Sequence, residues 1–199
     1  MRHSTMIFAT VCLAAVSCQP VPARAISLAQ AFTPLTSVYE VARDERSVAD
    51  IATDKKITTT IKAELLQKDG KLGLAVKTYC FLGRVTLLGQ LADENFKSFA
   101  VATAKKTRGV RSVATFWVTP GKESTTAADI EIATKIRAAL VADKNISATQ
   151  VECEVFGGHV YLLGMVRSQK DAARSVVHAK GVKGVTAVTS LLIPSRGKK

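Results

Sequence analysis

The chain has 199 residues, with 28 basic against 16 acidic side chains, a formal net charge of +12, and 47% apolar residues. That apolar share is enough for a folded core and excludes a charge-rich disordered chain. The strong positive balance calls for a polyanionic counterpart, whose nature depends on the compartment.

In chain order, a short basic head, Met1-Arg2-His3, precedes an apolar run from Met6 to Val16. A spanning helix needs about 20 apolar residues, so this run reads as a secretory signal and places the protein outside the cytosol. Two processing sites compete. Ala23-Arg24-Ala25 has the A-x-A form, with Pro20 and Pro22 breaking the helix ahead of it; cleavage there makes 1–25 the signal and frees a soluble periplasmic protein starting at Ile26. Ala15-Val16-Ser17-Cys18 resembles a lipobox, which would end the signal at residue 17 and lipidate Cys18 at the outer membrane. Residues 26–52 then form a tether. Losing Arg2 and Arg24 with the signal leaves 26 basic residues against 16 acidic, so the mature chain stays basic.

From residue 53 the sequence says nearly the same thing twice. Ile57, Ile61 and Leu65 recur every four residues, the spacing of one buried helical stripe. Val76, Thr78 and Cys80 then alternate with Lys77, Tyr79 and Phe81, and Val85 and Leu87 with Thr86 and Leu88, which is strand periodicity. Leu82-Gly83 between them reads as a tight turn. Asn95 to Thr107 has the composition of a second helix, Gly109-Val110 stops it, and Val113 to Val118 reads as a last strand. A polar linker follows, 120–127.

The second copy, 75 residues on, runs from Asp129 through Ile132, Ile136 and Leu140, a hairpin around Gly157-Gly158, a helix over Lys170 to Lys180 and a strand over Ala187 to Ile193. The hairpin strings Gly83-Arg84-Val85-Thr86-Leu87-Leu88-Gly89 and Gly158-His159-Val160-Tyr161-Leu162-Leu163-Gly164 show the duplication best. The expected fold class is α+β: two tandem α-β-β-α-β repeats, 53–119 and 128–194, each a small three-stranded mixed sheet with two helices on one face, then a basic tail, 195–199. A lone unit of this size buries only about 60% of its unfolded surface, so the copies are expected to support each other. The strand face carrying Tyr161, Leu163 and Met165 points away from the helices and wants a cover. The first repeat is the expected one, with a partner protein as the alternative.

Few residues suggest chemistry. His3, His159 and His178 are scattered, His159 at a turn position, and no metal-ligating cluster, phosphate loop or Gly-x-Ser-x-Gly string occurs, so neither enzyme activity nor a cofactor or small-molecule substrate is expected. Asp54 and Asp129 recur at matched positions, where an acid in the first turn caps free amides and meets the positive end of the dipole. Cys80 and Cys153 lie on helix-facing strand positions and are expected as buried free thiols; a bridge between repeats, needing Cα atoms within about 7 Å, is the alternative. The densest positive cluster is Lys105, Lys106, Arg108 and Arg111, with Lys180 and Lys183 as its counterpart. These cations complement helix C-termini. In an exported protein with no nucleic-acid-binding signature, they also suit anionic phospholipid head groups.

Together, the acids Asp54 and Asp129, the Ile-x3-Ile-x3-Leu stripes, the Gly-x-Val-x-Leu-x-Gly hairpins and the Gly-Val-x-x-Val entries to the last strands make each repeat resemble a BON domain (bacterial OsmY and nodulation). The approach Arg43-Asp44-Glu45-Arg46-Ser47-Val48 is similar to that of dual-BON envelope lipoproteins. The resemblance implies binding of phospholipid, or holding envelope assemblies together, without catalysis. It also implies that the first helix of the second repeat is the membrane contact, presenting Ile130, Lys135, Arg137 and Val141. Two functions follow as expectations: a lipoprotein or periplasmic protein that binds anionic phospholipid and supports outer-membrane integrity, or a periplasmic protein-interaction module linked to osmotic stress.

Overall fold

The computed structural model describes residues 46–120, 126–146 and 151–195; the signal, Cys18, the tether up to residue 45, the linker core 121–125 and the tail from 196 lie outside the described residues. The first repeat runs α1 (Val48–Lys68), α2 (Gly70–Ala75), β1 (Val76–Phe81), β2 (Arg84–Gln90), α3 (Glu94–Lys106) and β3 (Ser112–Val118). The second runs α4 (Thr126–Ala142), β4 (Val151–Phe156), β5 (His159–Val166), α5 (Gln169–Lys180) and β6 (Ala187–Pro194).

Two elements differ from the sequence expectation. Helix α1 begins at Val48, so residues 48–52, expected as tether, are helical. The cause is a capping box: the Ser47 hydroxyl accepts from Asp50 N at 3.1 Å while the Asp50 carboxylate accepts from Ser47 N at 3.4 Å. The short α2 was not anticipated; Asp69 caps it, its side chain accepting from Leu72 N at 2.8 Å.

In each repeat the first two strands pair antiparallel, Val76 opposite Gly89 and Val151 opposite Gly164. The third strand joins the second in parallel, Val85 beside Val113 and Val160 beside Val188. The order is β1-β2-β3 and β4-β5-β6. A two-residue hairpin that follows the strand twist needs positive φ at both turn positions. Gly157 and Gly158 supply it at 58° and 76°, Leu82 and Gly83 at 54° and 74°.

The helical stripes close one core per repeat. Ile57, Ile61 and Leu65 pack with Val76, Cys80, Val85, Leu87 and Phe96. Ile132, Ile136 and Leu140 pack with Val151, Cys153, Val160 and Leu162. A third cluster lies between the repeats, where the two sheets meet on the faces turned away from their helices. It holds Leu88, Tyr161 and Leu163, with Tyr79, Phe81, Phe116, Phe156 and Leu191 around them. The apolar face of the second repeat is therefore covered by the first, as expected. Equivalent residues meet there: Leu88 with Leu163, and the Tyr79 hydroxyl donating to the Glu154 carboxylate, in both cases 75 positions apart. The packing is that of an isologous dimer built within one chain.

Candidate functional site

Asp129 lies in the first turn of α4, as its sequence position suggested, whereas Asp54 lies too deep in α1 to cap its start, and both turn toward the hairpin. Asp54 is seven residues into α1 and faces inward, 3% exposed. Its carboxylate accepts from Leu82 N at 2.8 Å and Gly83 N at 2.9 Å, the two amides of the hairpin turn. Asp129 does the same for Gly157 N and Gly158 N, both at 2.9 Å. Each acid thus ties the first helix to the turn and satisfies two amides that a tight turn leaves without ladder partners. In the first repeat, Arg46 adds an ion pair to Asp54 at 2.8 Å and lies 5.0 Å from the centre of the Phe81 ring. Arg46 lies in the stretch expected as tether, and its anchoring role was not read from the sequence. These acids are structural staples.

The cysteines are buried and free, as expected. Burial pushes the Cys80 thiol up to about 12, helped by its hydrogen bond to Asp54 at 3.2 Å. Burial raises Cys153 to about 11, with Arg137 opposing. Neither thiol is a nucleophile near neutral pH. His159 opens β5, its ring stacked on Tyr161 at 4.5 Å and its Nε2 paired with Thr189 Oγ1 at 2.8 Å. His178 and Arg174 both bind Asp143, at 2.9 and 3.1 Å, and His178 first among its partners holds that carboxyl well below the usual range. Among the described residues no group of three or more metal-ligating side chains converges.

The surface offers more than the interior. On α4, Ile130 and Val141 are exposed, at 62% and 70%, although both are large and apolar. They stand eleven residues apart, with Arg137 seven from Ile130, so all three share one stripe opposite Ile132, Ile136 and Leu140. Arg137 Nη2 donates to Cys153 O at 3.2 Å, which anchors the guanidinium beside the open edge of β4. Lys135 falls off the stripe and pairs with Glu131 at 2.6 Å, holding that carboxyl below the ordinary range. The predicted basic cluster sits where α3 passes into β3. There Lys106 is taken by Glu64 at 2.7 Å, whereas Lys105, Arg108 and Arg111 are exposed. Lys180 and Lys183 occupy the matching place in the second repeat and are also exposed. The structure therefore brings Ile130, Arg137 and Val141 together, and leaves the two basic clusters on separate repeats. Among the described residues, no helix is long and apolar enough to cross a membrane.

The BON domain profile matches residues 53–115 and 128–193. The chain is 32% identical to osmotically-inducible protein Y of Escherichia coli over 145 residues, 71% of this chain and 72% of the relative. It is 31% identical to the outer membrane lipoprotein DolP of Haemophilus influenzae over 159 residues, 72% of this chain and 82% of the relative. The solved C-terminal domain of CdsD, a structural protein of the type III secretion system of Chlamydia trachomatis, aligns with 68% of this chain and 96% of its own at 14% identity and a TM-score of 0.28. Two matched copies, each an α-β-β-α-β unit, and two relatives above 30% identity over most of their lengths give one conclusion: the chain belongs to the BON-domain family, among its exported two-domain envelope proteins.

Proposed function

We propose that this protein works at the envelope by adhesion, docking on anionic phospholipid at the membrane surface and supporting outer-membrane integrity. The observation that carries the reading is the α4 stripe, where Ile130 and Val141 stand in solvent with Arg137 between them. An apolar side chain left in water on a folded surface gains by entering the head-group layer, and each nearby cation adds about 1 kcal/mol at an anionic surface. The excess of basic over acidic residues, which persists once the signal is removed, supplies the long-range attraction. A lipid on Cys18 would provide the second anchor that reversible docking needs.

The test is vesicle sedimentation with phosphatidylglycerol-containing and pure phosphatidylcholine liposomes. Ile130→Asp with Val141→Asp should lower the partition onto anionic vesicles by at least about tenfold, since each apolar group contributes roughly 1 kcal/mol or more when it leaves water. Lys135→Glu should matter less, because Lys135 is paired with Glu131 off the stripe. Equal binding of the double variant and the parent would sink the reading.

A further inference from the structure

We propose that the open edge of β3, with the groove beside Trp117, docks an extended acidic segment of a partner protein, which adds to the first sheet as a fourth strand. Among the described residues, strand β3 pairs with β2 alone and forms the outer edge of its sheet. Among the described residues, the one hydrogen bond its backbone makes outside that ladder is at its very end, Leu91 N to Val118 O at 3.0 Å. The rest of the edge offers a row of amides and carbonyls, which is what strand addition uses for affinity.

Specificity comes from what flanks the edge. A groove of about 460 Å³ runs between α3 and the strand, walled by Val101, Ala102 and Trp117 and rimmed by Glu94, Lys97, Ser98 and Lys105. It is wide enough for an apolar side chain of an added strand. Lys97 is held by Glu94 at 2.7 Å. Lys105, and Arg108 and Arg111 on the turn that leads into β3, have no ion pair among the described residues. An incoming segment with acidic residues at the Arg111 end and an apolar residue at the Trp117 end matches that layout.

The second repeat is an internal control. Its equivalent positions carry Ala173 for Ser98, Val177 for Ala102, Leu192 for Trp117 and Thr186 for Arg111. The shared fold therefore does not require the aromatic wall, the small floor or the terminal cation. The site belongs to the first repeat and uses none of the α4 stripe, so it stands or falls independently of lipid docking.

Trp117 is the single tryptophan of the chain and so reports on its own groove. The full-length protein is titrated with an acetylated, amidated peptide of alternating valine and threonine that carries three aspartates at one end. A saturable blue shift of the Trp117 emission is expected. Lys105→Glu with Arg111→Glu, checked for native far-UV circular dichroism, should weaken it about tenfold. A form of the peptide with a central proline, which lacks a backbone donor, should also bind more weakly. The proposal is overturned by equal binding of the same peptide with lysines in place of aspartates, or by no saturable shift up to about 1 mM. It is likewise overturned if anionic vesicles alone shift Trp117 and lose that effect in the charge-reversed variant, which would make the surface a membrane contact.

Discussion

Asp54 shows how much a single buried carboxylate can organise. Removing it by Asp54→Ala leaves Leu82 N and Gly83 N without their acceptor and takes the ion pair from Arg46. A cost of about 3 kcal/mol is expected, read as a lower urea midpoint; Asp129→Ala, which takes the acceptor from Gly157 N and Gly158 N, should cost at least about 2 kcal/mol. A loss under about 0.5 kcal/mol in both would show that water replaces the acid at the turn. The thiols give a second residue-scale prediction, in pH. Cys80 and Cys153 are pushed up to about 12 and 11 from 9.0, so unfolding releases their protons more readily than the native state does. Their contribution to stability is whole below pH 9 and is lost as pH rises toward 11 and 12. Correspondingly, a disulfide reagent at pH 8 should label neither cysteine in the native protein and both in denaturant without prior reduction; rapid native labelling would contradict the burial.

At the scale of elements, the start of α1 carries the clearest consequence. A chain beginning at residue 53 keeps the whole profile match yet loses the Ser47 capping box, the first turn of the helix and the Arg46–Asp54 pair. Compared with a chain beginning at residue 44, it should be less stable by about 2 to 3 kcal/mol in urea denaturation. Equal midpoints would mean that the pre-helix segment is an ornament. The same segment marks the limit of what could be read from sequence. The buried stripes, the strand alternation and the glycine turns are local and periodic, so the strands and α3 and α5 were legible within a residue or two, whereas the start of α1 and the whole of α2 were not. Asp54 also announced itself by recurring at Asp129, but its role did not. An acid near a helix start reads as a cap unless the true start is known, and only the tertiary fold brings the hairpin amides to it. The Ser47-x-x-Asp50 box is a local signal for the start of α1 that the stripe beginning at Ile57 does not carry, and Asp69 capping a six-residue α2 has no periodic signal at all. On the candidate site, exposure of Ile130 and Val141 was deducible from the stripe opposite them, whereas the pairing of Lys135 with Glu131 and of Lys106 with Glu64 was decided by side-chain geometry.

For the whole molecule, the decisive contact is between the sheets. A single repeat is marginal on its own area, so the cluster of Leu88, Tyr161 and Leu163 ought to couple the two into one cooperative unit. Tyr161 is its centre: its ring lies 5.5 Å from Phe116 in the first repeat, 6.0 Å from Phe156 and 4.5 Å from His159 in its own. Beside it, burial and the bond to Glu154 push the Tyr79 hydroxyl far up, so it remains a donor at any physiological pH and keeps the Glu154 carboxylate satisfied. The coupling can be read directly, because Trp117 reports on the first repeat while far-UV circular dichroism reports on both. In the parent protein the two urea transitions should coincide. With Tyr161→Ala and Leu163→Ala the sheets lose their shared apolar surface, and the fluorescence and dichroism midpoints should separate by more than the error of either. Coincident transitions in that variant would place the coupling elsewhere. Separate transitions in the parent would mean that the repeats fold independently and that the sheet contact orients them without stabilising them.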